Sequence, residues 1–368
     1  MKIAFDHQIF SIQSFGGVSR YAVRLAEYLG RHGHDARIFA PLHINQFLDD
    51  FSAQRGSIRV PFFPPEAAPL LLATNRTILK LRNRQTWRPD FVHETYYTDR
   101  PVNLGGTKVV VTVHDMIHER MPECFRLQDG TTRRKKSSTR RADHLIAVSK
   151  SAKNDLCDLF DVSPDKVSVV HHGFDPLPYP NRTVATETGR PFLLYVGQRH
   201  GYKNFGALLR AVGSRPALRS AYDILAFGGR PLGREERSAA VNAGVRVDGL
   251  HHLGGDDTVL AACYRSAAAF VYPSLYEGFG LPPLEAMSCE CPVVSSNTGS
   301  LPEVIGDAAE FFDPNDTDSI AHAVDTVLSD QDRRRQLVQF GLRRLQFFSW
   351  DKCARETSAA YDFALALR

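Results

Sequence analysis

The apolar positions of this chain alternate between two periods. KIAFD (2–6) reads as a first strand, and GVSRYAVRLAEYLGRHGH follows with Val18, Tyr21, Ala22, Leu25 and Leu29 on one helical stripe. ARIFAP (36–41) returns to a strand, and DFVHE, KVVVTVHD, HLIAVS and KVSVVHHG continue the rhythm. FDPLPYPNRTVATETGRP (174–191) interrupts it with four prolines and no apolar period, which marks a linker. The alternation then restarts with PFLLYVG, YDILAFG, AAAFVYPS, CPVVSS and AEFFDP. The pattern predicts an α/β protein of two doubly wound, Rossmann-like parallel sheets, with domains over 1–178 and 188–349. The tail 350–368 reads as a helix that packs back across the domain boundary, although its apolar residues suit either half.

Composition narrows the class. With 43% hydrophobic and 23% charged residues, the 368-residue chain is typical of globular proteins and long enough for two domains. A net charge of +4 gives no reason to expect nucleic acid. Six cysteines in this length do not make a disulfide framework, and Cys289-x-Cys291 lacks the paired spacing of a zinc site. Reduced thiols and the absence of a signal-like N-terminus point to the cytoplasm. The apolar runs, such as AAPLLLA (67–73), are too short to cross a bilayer, so membrane contact is expected only at the inner surface.

Strand ends carry ligand chemistry in such sheets, and the densest one is YEGFGLPPLEAM (276–287). Glycines at 278 and 280 permit positive φ and close backbone approach, and Pro282 and Pro283 suit a first helical turn that needs no amide. The N–H groups of Phe279, Gly280 and Leu281 are then available to an anion at the positive helix end. Glu277 and Glu285 stand on either side, suited to accept hydrogen bonds from sugar hydroxyls. The combination fits a ligand with phosphate in the middle and polyols at both ends.

The string EGFGLPPLEAM, with PVVSS and SLPEV after it, resembles the E-x7-E pattern of retaining GT-B-fold glycosyltransferases, family four. The similarity runs along nearly the whole chain and is denser in the second half. It implies two domains facing an interdomain cleft, a nucleotide-diphosphate-sugar donor, no metal or other cofactor, and transfer with retained anomeric configuration. It implies that Arg199 and Lys203 of YVGQRHGYKN clamp the diphosphate, and that Glu277 acts in catalysis on the donor sugar while Glu285 meets the nucleotide ribose. Gly16 and Gly17 of QSFGGVSR match the family's Gly-Gly loop, and His114 of VTVHDMIHE its active-site histidine. In VVHHGFD (169–175), His171 and His172 stand where the family has Pro and Asn, and Gly173 and Asp175 are expected to shape the hinge. The backbone around HHLGGDD (251–257) is the candidate for base recognition.

Residue types alone leave other readings of the first half. His114, Asp115, His118 and Glu119 are all ligand types, but H-D-x-x-H-E is not the H-E-x-x-H zinc pattern, and no metal is expected. HETYY (93–97) offers Glu94, Tyr96 and Tyr97 for sugar stacking or for core packing. TTRRKKSSTRR (131–141) holds six cations in eleven residues: Arg133, Arg134, Lys135, Lys136, Arg140 and Arg141. These are expected to meet anionic headgroups or a pyrophosphate-linked acceptor, or to be a solvated helix face.

The resulting expectation is a glycosyltransferase of surface polysaccharide or lipopolysaccharide synthesis. Its sequence flavour resembles mannosyltransferases that use GDP-mannose, with a glycan or lipid-linked saccharide as acceptor. The alternatives are a UDP-sugar donor, a nucleotide-sugar epimerase or phosphorylase, and a non-catalytic nucleotide-sugar-binding subunit. A dehydrogenase is disfavoured because QSFGGVSR is not G-x-G-x-x-G.

Overall fold

The structure is a computed structural model that describes residues 1–49, 51, 57–60, 64, 67–82, 87–101, 107–126, 129–180 and 183–366. Two positions of the linker stretch, 181 and 182, and the last two of the tail, 367 and 368, lie outside the described residues. The chain divides into two compact units, one formed by Met1–Gly173 with Ser349–Arg368 and the other by Phe174–Phe348.

In the first unit the strands are β1 (Lys2–Phe5), β2 (Asp35–Ile38), β3 (Leu42–His43), β4 (Ile58–Arg59), β5 (Phe91–Glu94), β6 (Lys108–Val113), β7 (His144–Ala147) and β8 (Val167–Val169). Six of them form a sheet in the order β2-β1-β5-β6-β7-β8, and β3 and β4 make a separate two-stranded pair. Every pairing is parallel. β-Branched runs such as VVVTV fit strands covered on both faces. The sheet order reverses between β1 and β5, so their carboxyl ends border the crevice where open α/β sheets bind ligands.

The second unit holds β9 (Phe192–Val196), β10 (Asp223–Phe227), β11 (Leu250–Leu253), β12 (Ala269–Tyr272), β13 (Val293–Ser296) and β14 (Ala309–Phe312). Their order is β11-β10-β9-β12-β13-β14, again parallel throughout. Here the reversal falls between β9 and β12, the two strands that lead into the Arg199/Lys203 and Glu277 segments.

The predicted stripe of the helix Gly17–Arg31 buries Tyr21, Ala22, Leu25 and Leu29, while Val18 is only partly covered. The tail forms the helix Trp350–Ala366 and packs within the first unit. Its Tyr361 stacks on Phe91, with centroids 4.9 Å apart, and shares a 2.6 Å hydrogen bond with His93 Nδ1. Trp350 lies against Gly173: a Cβ there would sit 2.3 Å from the indole. The short helix Gln8–Ile12, the strands β3 and β4, and β11 with its polar sequence LHHL lie outside the sequence expectation. Among the described residues, no helix is long and apolar enough to cross a membrane.

Candidate active site

The second unit brings Lys203 and Glu277 together. Lys203 follows β9 in a short 3-10 turn, Gly201–Lys203, and Glu277 lies in the loop after β12. Lys203 Nζ donates to Glu277 Oε1 at 2.7 Å and to the Tyr272 hydroxyl at 3.1 Å, and that hydroxyl donates to the same Oε1 at 2.7 Å. Glu277 Oε2 accepts from none of the described residues. One oxygen is therefore anchored and the other is available to a hydroxyl. Burial disfavours the Lys203 ammonium, but the charges of Glu277 and the tyrosines and the hydrogen bond to Glu277 outweigh it, holding its pKa well above the ordinary lysine value. Tyr272 is pushed well above the usual phenol range by burial and by the Glu277 charge. It therefore stays protonated and able to donate.

The loop is held from β13. Ser300 Oγ donates to the carbonyls of Glu277 and Phe279, each at 2.9 Å, and Ser296 Oγ donates to Ser274 O at 2.6 Å. Gly299 has φ +58°, and a Cβ there would lie 2.9 Å from Glu277 O, so only glycine lets this segment run so close. PVVSS and SLPEV, the stretches that follow EGFGLPPLEAM, thus fix the glutamate loop. Leu275 N donates to Tyr202 O at 2.8 Å, tying the β12 loop to the β9 loop.

Gly280 precedes the helix Leu281–Ser288 with φ +97°, whereas Gly278 is not in the left-handed region. Of the three expected donors, the N–H groups of Gly280 and Leu281 meet no acceptor among the described residues. Phe279 is differently placed, with its ring buried edge-on to Phe348 at 5.6 Å. Glu285, in the second turn, accepts from the Tyr264 hydroxyl at 3.2 Å. The two glutamates thus engage different tyrosines, and Tyr264 and Tyr272 both border Phe270. Neither tyrosine carried a motif in the sequence.

Arg199 does not join Lys203 on a shared partner. Its buried guanidinium donates to Glu236 at 2.6 Å, to Gly228 O at 2.8 Å and to Arg230 O. The diphosphate clamp is therefore not formed as an open pair of cations: Lys203 is tied to Glu277 and Arg199 to the β10 loop.

In the first unit, Gly16 caps the helix that Gly17 begins, and Ser19 Oγ donates back to Gly16 O at 3.0 Å. His114 follows β6, and its amide donates to the Tyr97 hydroxyl at 3.2 Å. Its ring stacks on His172 at 5.5 Å and meets Tyr21 edge-on at 5.1 Å. Burial, with lesser contributions from His93 and Lys135, lowers the His114 pKa to about 3, so the imidazole is neutral near pH 7. Tyr97 is fully enclosed, a core role rather than a stacking platform.

The basic helix Thr131–Arg141 requires a correction. Lys135 is fully buried: its Nζ donates to Glu119 at 2.6 Å and to Asp115 O at 2.9 Å, bracing the turn that carries His114. Arg141 makes a bidentate bond to the buried Glu94 at 2.9 and 2.6 Å. Neither cation is available to a membrane; both are used because a carboxylate buried behind the helix needs a counter-charge. His118 stacks on Phe125 and lies 3.4 Å from Asp129. Among the described residues, no cluster of three or more His, Cys, Asp or Glu could hold a metal ion.

Comparisons with known proteins agree with this architecture. Residues 181–344 match the family Glycosyl transferases group 1, and residues 15–176 match Glycosyltransferase Family 4. O-antigen chain mannosyltransferase B of Escherichia coli is 30% identical over 375 residues, covering 94% of this chain and 95% of the relative. Serotype-specific mannosyltransferase WbdA of E. coli is 32% identical over 278 residues, 71% of this chain but only 34% of that longer protein. Among solved structures, sucrose-phosphate synthase of Thermosynechococcus elongatus superposes with a TM-score of 0.76 at 21% identity, over 100% of both chains. WaaG, a glycosyltransferase involved in lipopolysaccharide biosynthesis, gives 0.69 at 19% identity, over 97% of this chain and 98% of its own. The chain belongs to the GT-B glycosyltransferases of family four, and its activity is glycosyl transfer. The relative that matches it over nearly the full length of both chains is named a mannosyltransferase.

Proposed function

We propose that the protein is a retaining mannosyltransferase that uses GDP-mannose to extend a surface polysaccharide, on a glycan or lipid-linked saccharide acceptor. The observation that carries this reading is the Lys203–Glu277–Tyr272 group at the β9/β12 switch point, with Glu277 Oε2 and the Gly280 and Leu281 amides open beside it. The name of the full-length relative, an O-antigen chain mannosyltransferase, supports the sugar and the pathway class.

In this reading Lys203 neutralises the departing diphosphate, and Arg199 exchanges its bond to Arg230 O for a phosphate oxygen. Cations fixed at a leaving group act most strongly as its charge develops. Glu277 Oε2 and the two amides orient the donor sugar, and Glu285 accepts from the ribose. The neutral His114 bonds a sugar hydroxyl and takes no part as an acid. The glycosidic bond breaks to an oxocarbenium-like sugar, and the acceptor hydroxyl attacks on the same face, its proton passing to the departing phosphate oxygen. No metal is assigned a step. The six cysteines are free thiols, which supports a reducing, cytoplasmic setting.

Thermal-shift titration with GDP-mannose, UDP-glucose and their free diphosphates tests the donor, since a ligand of the folded state raises its melting temperature. GDP-mannose is expected to give the largest shift. NMR of the product tests the stereochemistry, with the α-anomer expected. An inverted product, or a covalent glycosyl-enzyme trapped on a side chain, overturns the mechanism.

A further inference from the structure

The helix Thr131–Arg141 separates its cations into an inner and an outer set. On the inner side Lys135 and Arg141 answer Glu119 and Glu94. Arg134 reaches Asp129 at 3.8 Å, and the exposed Arg133 reaches Asp99 at 3.0 Å. Lys136 and Arg140 have no carboxylate partner among the described residues; the Lys136 ammonium lies only over the Phe160 ring, at 5.7 Å. Arg133, Lys136, Ser137 and Arg140 line one open cavity of about 440 Å³, together with Arg141, whose charge Glu94 already answers, and no acidic side chain among the described residues lines it.

Helical geometry explains the convergence. Positions 133, 136, 137, 140 and 141 are spaced by three and four, which stacks their side chains on one face. They extend over about 12 Å of helix axis, room for two linked phosphates. The same spacing places like charges at i,i+3 and i,i+4 with no intervening carboxylate, an arrangement that disfavours the isolated helix. The helix end offers an anion nothing, because its carboxyl terminus is negative and Arg140 and Arg141 lie there. Lys166 Nζ donates to the carbonyls of Thr139 and Arg140 at 3.2 and 3.4 Å, which satisfies that end and leaves the Arg140 guanidinium outward. The Arg140 guanidinium fork suits two phosphate oxygens at once, and Lys136 and Ser137 add a point charge and a hydroxyl donor.

We propose that this cavity is a binding site for phosphate groups, one as in a phosphodiester or two linked as in a pyrophosphate, distinct from the donor site. Its ligand is a pyrophosphate or phosphodiester, free in solution or carried on a lipid. The site stands on the first unit alone and does not depend on the donor assignment.

The test uses the full chain and four proteins: wild type, K136Q/R140Q, the conservative K136R/R140K, and R335Q/R343Q, which removes two exposed charges from the other unit. Calorimetry with inorganic pyrophosphate reads the soluble source. Co-sedimentation with phosphatidylcholine vesicles, with and without phosphatidylglycerol, reads the lipid source. With roughly fivefold per lost cation, K136Q/R140Q is expected to weaken binding about 30-fold in at least one arm, while K136R/R140K and R335Q/R343Q bind as wild type does. Loss confined to pyrophosphate identifies a soluble ligand, and loss confined to anionic vesicles a headgroup. Binding that K136Q/R140Q leaves unchanged in both arms, or that R335Q/R343Q weakens equally, overturns the proposal. Circular dichroism melting confirms that the variants are folded.

Discussion

Lys203 and Glu277 are 74 positions apart in the chain, yet their charged groups lie 2.7 Å from each other at the ends of adjacent central strands. Removing one partner of a mostly buried pair strands the other charge. Glu277→Gln and Lys203→Met are each expected to cost about 2 kcal/mol, below the figure for fully buried pairs because both groups keep some contact with water. Both should lower turnover at least 100-fold. The double variant should be less destabilised than the sum of the two, by denaturant melts. Strict additivity would show that the pair is not coupled.

Tyr272 joins the two. Tyr272→Phe keeps the ring and deletes only the hydroxyl that donates to Glu277 Oε1. We expect a loss of about 1–2 kcal/mol and a fall in kcat larger than any change in KM, since the deleted bond orients a carboxylate that acts on the reacting sugar. Unaltered kcat would remove Tyr272 from the site.

Gly299 and Gly33 separate backbone strain from site geometry. Both have positive φ, +58° and +82°, but a Cβ at Gly33 meets nothing within 4 Å, whereas one at Gly299 meets Glu277 O at 2.9 Å. Gly33→Ala should cost about 1 kcal/mol and leave turnover intact. Gly299→Ala should cost more and also depress turnover, measured as kcat on the best donor. Equal effects on activity would show that Gly299 does not position the glutamate loop.

The two faces of the basic helix predict opposite sensitivities. Lys135→Met leaves Glu119 buried without its counter-charge and is expected to cost about 3–5 kcal/mol. Lys136→Gln, at the outer cavity, should stay within about 0.5 kcal/mol in the same melts. Similar losses at both positions would contradict the division into an inner and an outer set.

Acid should destabilise the first unit. Burial lowers the pKa of His7 to about 4, of His93 and His114 to about 3, and of His172 well below the ordinary 6.5. Below pH 6.5 the unfolded chain therefore takes up protons that the folded chain refuses, and stability falls as pH is lowered. Asp6 opposes this: burial, then the Glu94 charge, raises its pKa from 3.8 to about 7, so it favours the fold increasingly as pH drops through that window. Burial also raises Glu94, against the pull of Arg141. Four histidines outweigh two carboxyls, so stability should fall between pH 7 and pH 5, by at most about 1.4 kcal/mol per pH unit for each net proton, and the melting temperature should fall with it. A flat profile would contradict the burial of these rings in neutral form. Turnover should likewise show no inflection near pH 6.5 that vanishes in His114→Asn.

The sheets and the glutamate loop were legible because their signals are local. Strands such as KVVVTV and FLLYV are continuous apolar runs, and the turn chemistry of EGFGLPP sits within seven residues. β11 was not legible, because LHHL carries two histidines and is only partly covered, as an edge strand can be. Tyr272 and Ser300 were missed because a tyrosine in an apolar strand and a serine before a helix have no distinguishing spacing; their partners are brought to them by the sheet order. Lys135 was misread for the same reason. Six cations within eleven residues look alike until the carboxylates behind the helix, Glu119 and Glu94, assign two of them inward.

The helix Trp350–Ala366 supplies Tyr361 and Trp350 to the core built by the first 173 residues. During synthesis that earlier half keeps its apolar floor uncovered until residues 350–366 have emerged, whereas the second unit already has all its strands. The part translated first thus closes after the part translated next, and deleting the helix Trp350–Ala366 should injure the unit that Met1–Gly173 builds.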